Sequence, residues 1–147
     1  VGKNKDFPCG EWVLEEMLKV AMEDEKNDHI KYLKIAKMAR RQRDKEKLLA
    51  IADDERRHRR WLMAIYKNLY GNRRLNLQER PKKLYRFDEA IGKSVIAEYE
   101  GIAFYREILG RIPCEEMKNV IRRIMEDEQR HACILEDMLG FCHCRRK

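Results

Sequence analysis

The chain has 147 residues, 44% of them hydrophobic and 40% charged, and its 33 Lys and Arg against 26 Asp and Glu give a net charge of +7. This length suits one domain with one core, and the scarcity of Gly (7) and Pro (3) indicates long helices and excludes a disordered or all-β chain. No run of 18 apolar residues and no apolar secretory segment at the start occur, so we expect neither a membrane span nor export.

The first predicted hairpin occupies about residues 10–70. Apolar residues at helical spacing favour a first helix from about residue 10 to residue 41. Asp44 is a good N-cap for a second helix, which runs to about Tyr70 because Gly71 can end it.

The second predicted hairpin occupies about residues 88–140. Asp88 can cap the third helix, and Pro113 can sit in the first turn of the fourth. The two hairpins are joined by residues 71–87, a link that is long for a small helical domain. A basic tail, residues 141–147, follows the fourth helix.

A Glu-x-x-His pattern occurs twice, at Glu55/His58 and at Glu128/His131, with an offset of 73 residues. Other residues of the two halves match at the same offset. These pairs include Glu25 with Glu98, Tyr32 with Tyr105, Asp54 with Asp127 and Arg57 with Arg130. The sequence therefore contains an internal duplication of a helical hairpin.

The spacing predicts that the repeated acids lie at one height in the bundle. Glu25 and Glu55 are equally far from the first turn, near residue 40, and Glu98 and Glu128 are equally far from Pro113. At the α-helical rise, each Glu lies roughly 22 Å from its turn. Because Glu and His at i and i+3 share a helix face, packing the hairpins together brings four Glu and two His into one layer.

Such a layer needs cations. Four buried carboxylates repel one another and resist desolvation, so they must bind protons or metal ions. Two divalent ions match four Glu, and each His supplies one further ligand; this set suits iron or manganese, and zinc stays open. One Glu from each of two helices with Glu-x-x-His from each of the other two is the ligand set of di-iron carboxylate bundles.

On these residues the chain resembles the ferritin-like superfamily, and most nearly the rubrerythrin-type di-iron domains, over about residues 10–140. The resemblance implies a single all-α domain over residues 1–147, a ferritin-like four-helix bundle of two duplicated hairpins joined by a long crossover. Residues 71–87 fit the crossover, since 17 extended residues span roughly 56 Å. It also implies two iron ions on Glu25, Glu55, His58, Glu98, Glu128 and His131.

The chain departs from rubrerythrin in two respects. Full-length rubrerythrin has a rubredoxin-like site of four cysteines, whereas FPCG at residues 7–10 resembles half of one cysteine knuckle without a partner. We therefore expect an external electron donor. Rubrerythrins also carry an additional Glu in the third helix, and here the nearby Glu100 points away from the metals because it is two residues from Glu98.

Further residues are expected near the centre. Asp54 and Asp127 precede the ligand Glu and either hydrogen-bond a ligand His or lie solvated on the helix surface. Tyr32 and Tyr105 share the ligand face, where each can bond a carboxylate, donate an electron to an oxidised centre or simply pack in the core. His29 follows Glu25 by one turn, but its repeat mate is Ile102, so we do not expect it to be a ligand.

The cysteines and the charge are less informative. Five cysteines, an odd number, show no spacing of a disulfide framework, which favours a reducing cytoplasm. Cys142 and Cys144 flank a His and could bind a soft metal, but their place before Arg-Arg-Lys favours a frayed tail. Because Lys and Arg alternate with acids at helical spacing, we do not expect nucleic-acid binding.

Three functions are open from the sequence. The first is an oxidoreductase that reduces H2O2 or O2 and oxidises Fe(II), as a peroxidase, oxidase or ferroxidase. The second is iron binding and storage, or the ferritin-like domain of an iron transporter. The third is a structural bundle without metal, which the buried charge disfavours. For the enzyme we expect an external reductant and a homodimer or larger homo-oligomer.

Overall fold

The computed structural model describes residues 13–80, 83 and 85–141. Within them the chain forms four helices and no strand, and no helix there is long and apolar enough to cross a membrane. The helices are α1 (Leu14–Met38), α2 (Gln42–Tyr70), α3 (Phe87–Leu109) and α4 (Glu115–Met138). The predicted all-α, four-helix fold is confirmed. The predicted start of the first helix, near residue 10, lies outside the described residues.

The helix starts differ from the predicted caps. Asp44 and Asp88 do not cap their helices, because α2 begins at Gln42 and α3 at Phe87, which places both acids in the first turn. There a carboxylate still stabilises the exposed N–H groups and the positive end of the helix dipole. Pro113 lies before α4 and not in its first turn as predicted, since Cys114 is the N-cap and the helix begins at Glu115.

The end of α2 follows the prediction. Gly71 has a φ of +79°, a conformation that favours glycine, and its N–H bonds the carbonyl of Lys67. The link then runs back along α1. The Arg73 guanidinium bonds Glu15, and the backbone N–H groups of Gln78 and Arg80 bond side chains further along α1.

This link determines the topology. Helices α1 and α2 form one antiparallel hairpin and α3 and α4 the other, with α1 packed on α3 and α2 on α4. Because the link returns to the far end of the bundle, α2 and α3 run in the same direction. The two hairpins are thereby related by an approximate twofold axis, which the duplicated sequence also suggests.

Two apolar clusters hold the helices together. The first lies at the end of the bundle where α1 and α4 begin and α2 and α3 end. The second lies at the other end of the bundle, where α1 and α4 end and α2 and α3 begin. Members of the first include Leu18, Met22, Leu62, Tyr66, Tyr105, Ile108, Ile121 and Ile124. Those of the second include Tyr32, Ile35, Leu48, Ile51, Ile91 and Leu135. Each such side chain contributes about 1.5–3 kcal/mol on burial, which offsets the cost of the polar layer between the clusters.

Among the described cysteines, Cys114 at the N-cap of α4 is free and partly buried. The predicted tail metal ligands Cys142 and Cys144, like FPCG at residues 7–10, lie outside the described residues.

Candidate metal centre

The four repeated Glu and the two His lie between the apolar clusters. None of the six is more than 4% exposed; they are Glu25, Glu55, His58, Glu98, Glu128 and His131. Their burial follows from helical spacing. On α2, the inward stripe Ile51, Glu55, His58 and Leu62 repeats every three or four residues, so the polar pair occupies core positions.

The six residues form two adjoining groups. Within each group, one oxygen or nitrogen per residue lies within 4.8 Å of those of the others. The first group contains Glu25 and His58, the second contains Glu98 and His131, and both contain Glu55 and Glu128. The Glu of each Glu-x-x-His pattern is therefore shared, a distinction that the sequence did not provide.

The unpaired atoms in this layer point to cations. Each of the six residues has a buried oxygen or nitrogen without a hydrogen-bond partner among the described residues, and for Glu55 both oxygens are unpaired. His58 Nδ1 lies 3.2 Å from Glu128 Oε1, and His131 Nδ1 lies 3.0 Å from Glu55 Oε1, but neither pair has the angle of a hydrogen bond. Leaving such groups unpaired costs about 1–3 kcal/mol each, and more when they are charged. Two divalent ions fit this donor set of oxygen and imidazole nitrogen.

The outer nitrogens of the two His bond aspartates of the other hairpin. His58 Nε2 lies 2.8 Å from Asp127 Oδ2, and His131 Nε2 lies 2.8 Å from Asp54 Oδ2. An ionised carboxylate there keeps the proton on Nε2 and leaves Nδ1 facing the cluster. The structure thus places both aspartates against the ligand imidazoles, in a crossed arrangement that spacing alone did not indicate.

The two tyrosines are crossed in the same way. The Tyr32 hydroxyl donates to Glu98 Oε1 at 2.5 Å, and the Tyr105 hydroxyl donates to Glu25 Oε1. Burial, with the neighbouring carboxylates, raises the pKa of both hydroxyls well above the usual value, so they remain donors. Of the roles that the sequence left open for Tyr32 and Tyr105, the hydrogen bond to a carboxylate is the one seen in the structure.

The shared carboxyls hold protons when no cation is bound. Burial raises the pKa of Glu55 well above its usual value, and the charges of Glu25 and Glu98 add to the effect. Burial likewise raises the pKa of Glu128 well above its usual value. Burial works to lower the pKa of His131, but Asp54 and the nearby Glu outweigh it and raise that pKa to about 12. Metal binding must therefore displace protons from this layer.

Arginines on the surface of α2 and α4 hold the two aspartates. Burial works to raise the pKa of Asp54, but His131, Arg130 and Arg57 outweigh it and lower that pKa to about 2. Arg130 Nη2 lies 2.8 Å from Asp54 and 3.1 Å from Asp127, so one guanidinium joins the aspartates of both hairpins. Sequence reasoning assigned the arginines no role, although Arg57 and Arg130 repeat at the same offset as the ligands.

Two other residues clarify the boundary of the centre. His29 Nδ1 lies 2.6 Å from the carbonyl oxygen of Ala52, and His29 belongs to neither group. Gly101 on α3 lies against the shared Glu128, and a Cβ there would be 3.2 Å from Glu128 Oε2. Sequence reasoning missed Gly101; the signal was its place one turn after Glu98.

Comparisons with known proteins agree with this architecture. The family model described as Rubrerythrin matches residues 16–93 and residues 89–143. A solved structure of a hypothetical protein from Pyrococcus furiosus aligns with a TM-score of 0.80 at 21% identity, over 90% of this chain and 92% of that one. That likeness shows the fold. No curated protein matches the chain.

Proposed function

The chain belongs to the rubrerythrin family, and we propose that it is a di-iron carboxylate protein that reduces peroxide or oxygen and oxidises Fe(II). The observation that carries this proposal is the pair of adjoining ligand groups that share Glu55 and Glu128. A single metal site would not need two shared carboxylates, whereas two ions held side by side do.

The protein residues have separate tasks in this proposal. Glu25 and His58 would hold one iron and Glu98 and His131 the other, and Glu55 and Glu128 would be available to both. A bound pair of ferrous ions would supply the two electrons that, with two protons, reduce one H2O2 to two waters. The four Glu charges balance two divalent ions, so the layer is neutral when both are bound.

The hydrogen bonds around the layer orient its ligands. Tyr32 donates to one oxygen of Glu98, and Tyr105 donates to one oxygen of Glu25. The second oxygen of each Glu has no partner among the described residues. That second oxygen would be available to a metal ion. The apolar clusters on both sides restrict water, which strengthens the electrostatic interactions of the layer.

The reaction needs electrons from elsewhere. Repeated reduction of peroxide consumes two electrons per turn, and the described residues contain no cluster of four cysteines that could store them. The proposal therefore includes an external electron carrier. It also includes a homodimer or larger homo-oligomer and a cytoplasmic location.

Rapid mixing tests the reaction. Protein loaded anaerobically with Fe(II) is mixed with H2O2 or with O2, and absorbance in the near-UV and visible range is followed. We expect ferric absorbance to appear in one fast phase with both irons oxidised, and faster oxidation by H2O2 than by O2 would indicate a peroxidase, the reverse an oxidase. Oxidation no faster than that of free Fe(II) in the same buffer would contradict the proposal. Large hollow particles that retain many irons per chain would instead indicate storage.

A further inference from the structure

A cleft lies on the outer surface between α2 and α4, directly over the aspartates. Its volume is about 520 Å³. Its principal wall and floor residues are Asp54, Arg57, Trp61, Arg123, Asp127 and Arg130. The cleft lies outside the buried layer, although Asp54 and Asp127 of its floor bond the histidines of that layer, and the reaction described above does not take place in it.

The cleft has a basic rim and an acidic floor. The side chains of Arg57, Arg123 and Arg130 are 52%, 64% and 53% exposed, whereas those of Asp54 and Asp127 are 13% and 5% exposed. A small anion entering the cleft would meet the two carboxylates of the floor, which repel it. Carboxylates on the surface of a protein can reach the rim arginines without entering.

The cleft is also in contact with the metal layer. The ring of Trp61 packs on that of His58 with centroids 5.7 Å apart, and the Arg57 guanidinium lies 5.9 Å from the Trp61 centroid. Trp61 is partly exposed, whereas His58 is buried. One aromatic side chain therefore connects the cleft surface to a ligand imidazole.

Two cleft residues do not follow the internal repeat. The counterpart of Trp61 at the offset of 73 residues is Ile134, and that of Arg123 is Ala50. The metal layer, its tyrosines and its aspartates are duplicated, so these two residues are not required by the symmetric centre. Trp61 and Arg123 therefore distinguish this outer surface from the duplicated interior.

We propose that this cleft docks a small acidic protein that carries one electron at a time and reduces the metal centre through the Trp61–His58 contact. The inference rests on the proposed function, which requires an external reductant. Each docked carrier loses one electron and one ferric ion gains it, so two carriers restore two Fe(II). The net charge of +7 attracts an acidic protein over a long range.

Charge reversal at the rim tests the docking surface. Flavodoxin, an acidic flavin protein, serves as the carrier and cytochrome c as the basic control, with binding measured by calorimetry on the metal-free and iron-loaded protein. We expect Arg123→Glu to weaken flavodoxin binding about tenfold at low salt, and 300 mM salt to weaken binding similarly. The control Arg43→Glu makes the same charge change at the far end of α2, where the residue is exposed, and is expected to have less than about a threefold effect.

An indole resonance locates the contact. The chain has two tryptophans, and Trp61→Phe assigns the Trp61 N–H signal in the NMR spectrum. We expect this signal to shift when flavodoxin is added. In single-turnover mixing with the ferric protein, Arg123→Glu should slow reduction by flavodoxin hydroquinone about tenfold at subsaturating concentrations and leave reduction by dithionite within about twofold.

Several results would overturn the inference. One is that Arg123→Glu and wild type bind flavodoxin equally, and another is that the wild type binds cytochrome c as tightly as flavodoxin. A Trp61 signal that does not change when flavodoxin is added would also overturn it, as would binding of phosphate or duplex DNA at the cleft without flavodoxin binding. Failure of the proposed function would differ: the protein would bind no iron, yet Arg123-dependent docking would remain on the metal-free form.

Discussion

At the scale of single residues, Glu25 and Glu98 each divide their two oxygens between a tyrosine donor and the interior of the cluster. The donor comes from the opposite hairpin in both cases. The ligand imidazoles follow the same rule, with an aspartate of the other hairpin on the outer nitrogen. Every ligand outside the shared pair is therefore oriented by the half of the chain to which it does not belong.

Substitution of a shared acid separates metal binding from folding. We expect Glu55→Gln to leave the free energy of unfolding of the metal-free protein unchanged or higher, because a buried ionisable group with unpaired oxygens becomes a neutral amide. The stabilisation by Mn²⁺ or Fe(II), about 2.7 kcal/mol at a hundred times Kd in wild type, should disappear. Thermal unfolding with and without metal measures both effects.

The matched control is Glu100→Gln, an exposed acid on α3. It should retain the full stabilisation by metal. Equal stabilisation of Glu55→Gln and wild type would show that the ions bind elsewhere.

Loss of a tyrosine donor should affect stability and metal affinity together. Tyr32→Phe removes the hydrogen bond to Glu98 from a buried layer, which should cost about 1–3 kcal/mol and weaken metal binding. Tyr99→Phe is the control, since its hydroxyl bonds Glu136 on the surface at 2.6 Å. Urea unfolding and metal titration of both variants provide the comparison. A smaller loss of unfolding free energy and of metal affinity in Tyr32→Phe than in Tyr99→Phe would be incompatible with the role assigned to Tyr32.

At the scale of elements, the helices were predictable and their contacts were not. Periodicity and Gly71 located the helices to within a few residues, and the Glu-x-x-His spacing located the ligand faces. Which carboxylates are shared, and which Asp meets which His, depends on how two hairpins cross. The close approach of Gly101 to Glu128 also results from the packing of α3 on α4. These are tertiary contacts, and the periodicity of one helix does not contain them.

Two glycines of α3 offer a matched pair of substitutions. A Cβ at Gly92 would meet nothing within 4 Å, so Gly92→Ala should stabilise the protein by up to about 1 kcal/mol through helix propensity. Gly101→Ala makes the same change 3.2 Å from Glu128 Oε2, so it should shift that carboxylate and lower metal affinity. Calorimetric metal titration compares them. Equal affinities in the two variants would mean that the Gly101 contact is not needed.

The contact between the start of α1 and the end of α2 should depend on pH. Tyr66 donates to Glu15 at 2.7 Å, and this bond, against the opposing effect of desolvation and with the help of Arg73, lowers the pKa of Glu15 below its ordinary value of 4.5. Stability from a lowered carboxyl pKa is present above the ordinary value and is lost as pH falls through the lowered one. The stability lost in Glu15→Gln should therefore be larger at pH 7 than at pH 3 in urea unfolding.

The control is Glu89→Gln, an exposed acid in the first turn of α3. It makes the same change near a helix N-terminus without the tyrosine contact. A pH-independent difference between wild type and Glu15→Gln would contradict the assigned role of the Tyr66 bond.

At the scale of the whole molecule, two hairpins of one ancestral pattern enclose one layer of charge between two apolar clusters. The approximate twofold symmetry gives each candidate metal position one Glu and one His of its own and an equal share of two further Glu. Two departures from the internal repeat, at Trp61 and Arg123, lie on the outer surface between α2 and α4. The bundle thus combines a duplicated polar layer with an outer cleft that is not duplicated at these two positions.

The most direct test of the two-metal centre is the number of irons bound per chain, measured by anaerobic titration of the metal-free protein with Fe(II) and by elemental analysis after removal of free metal. We predict two irons per chain in wild type and in Glu100→Gln, and fewer than two in Glu55→Gln and Glu128→Gln. A wild-type protein that retains no iron, manganese or zinc, or that retains as much after loss of a shared acid, would contradict the assignment of the centre.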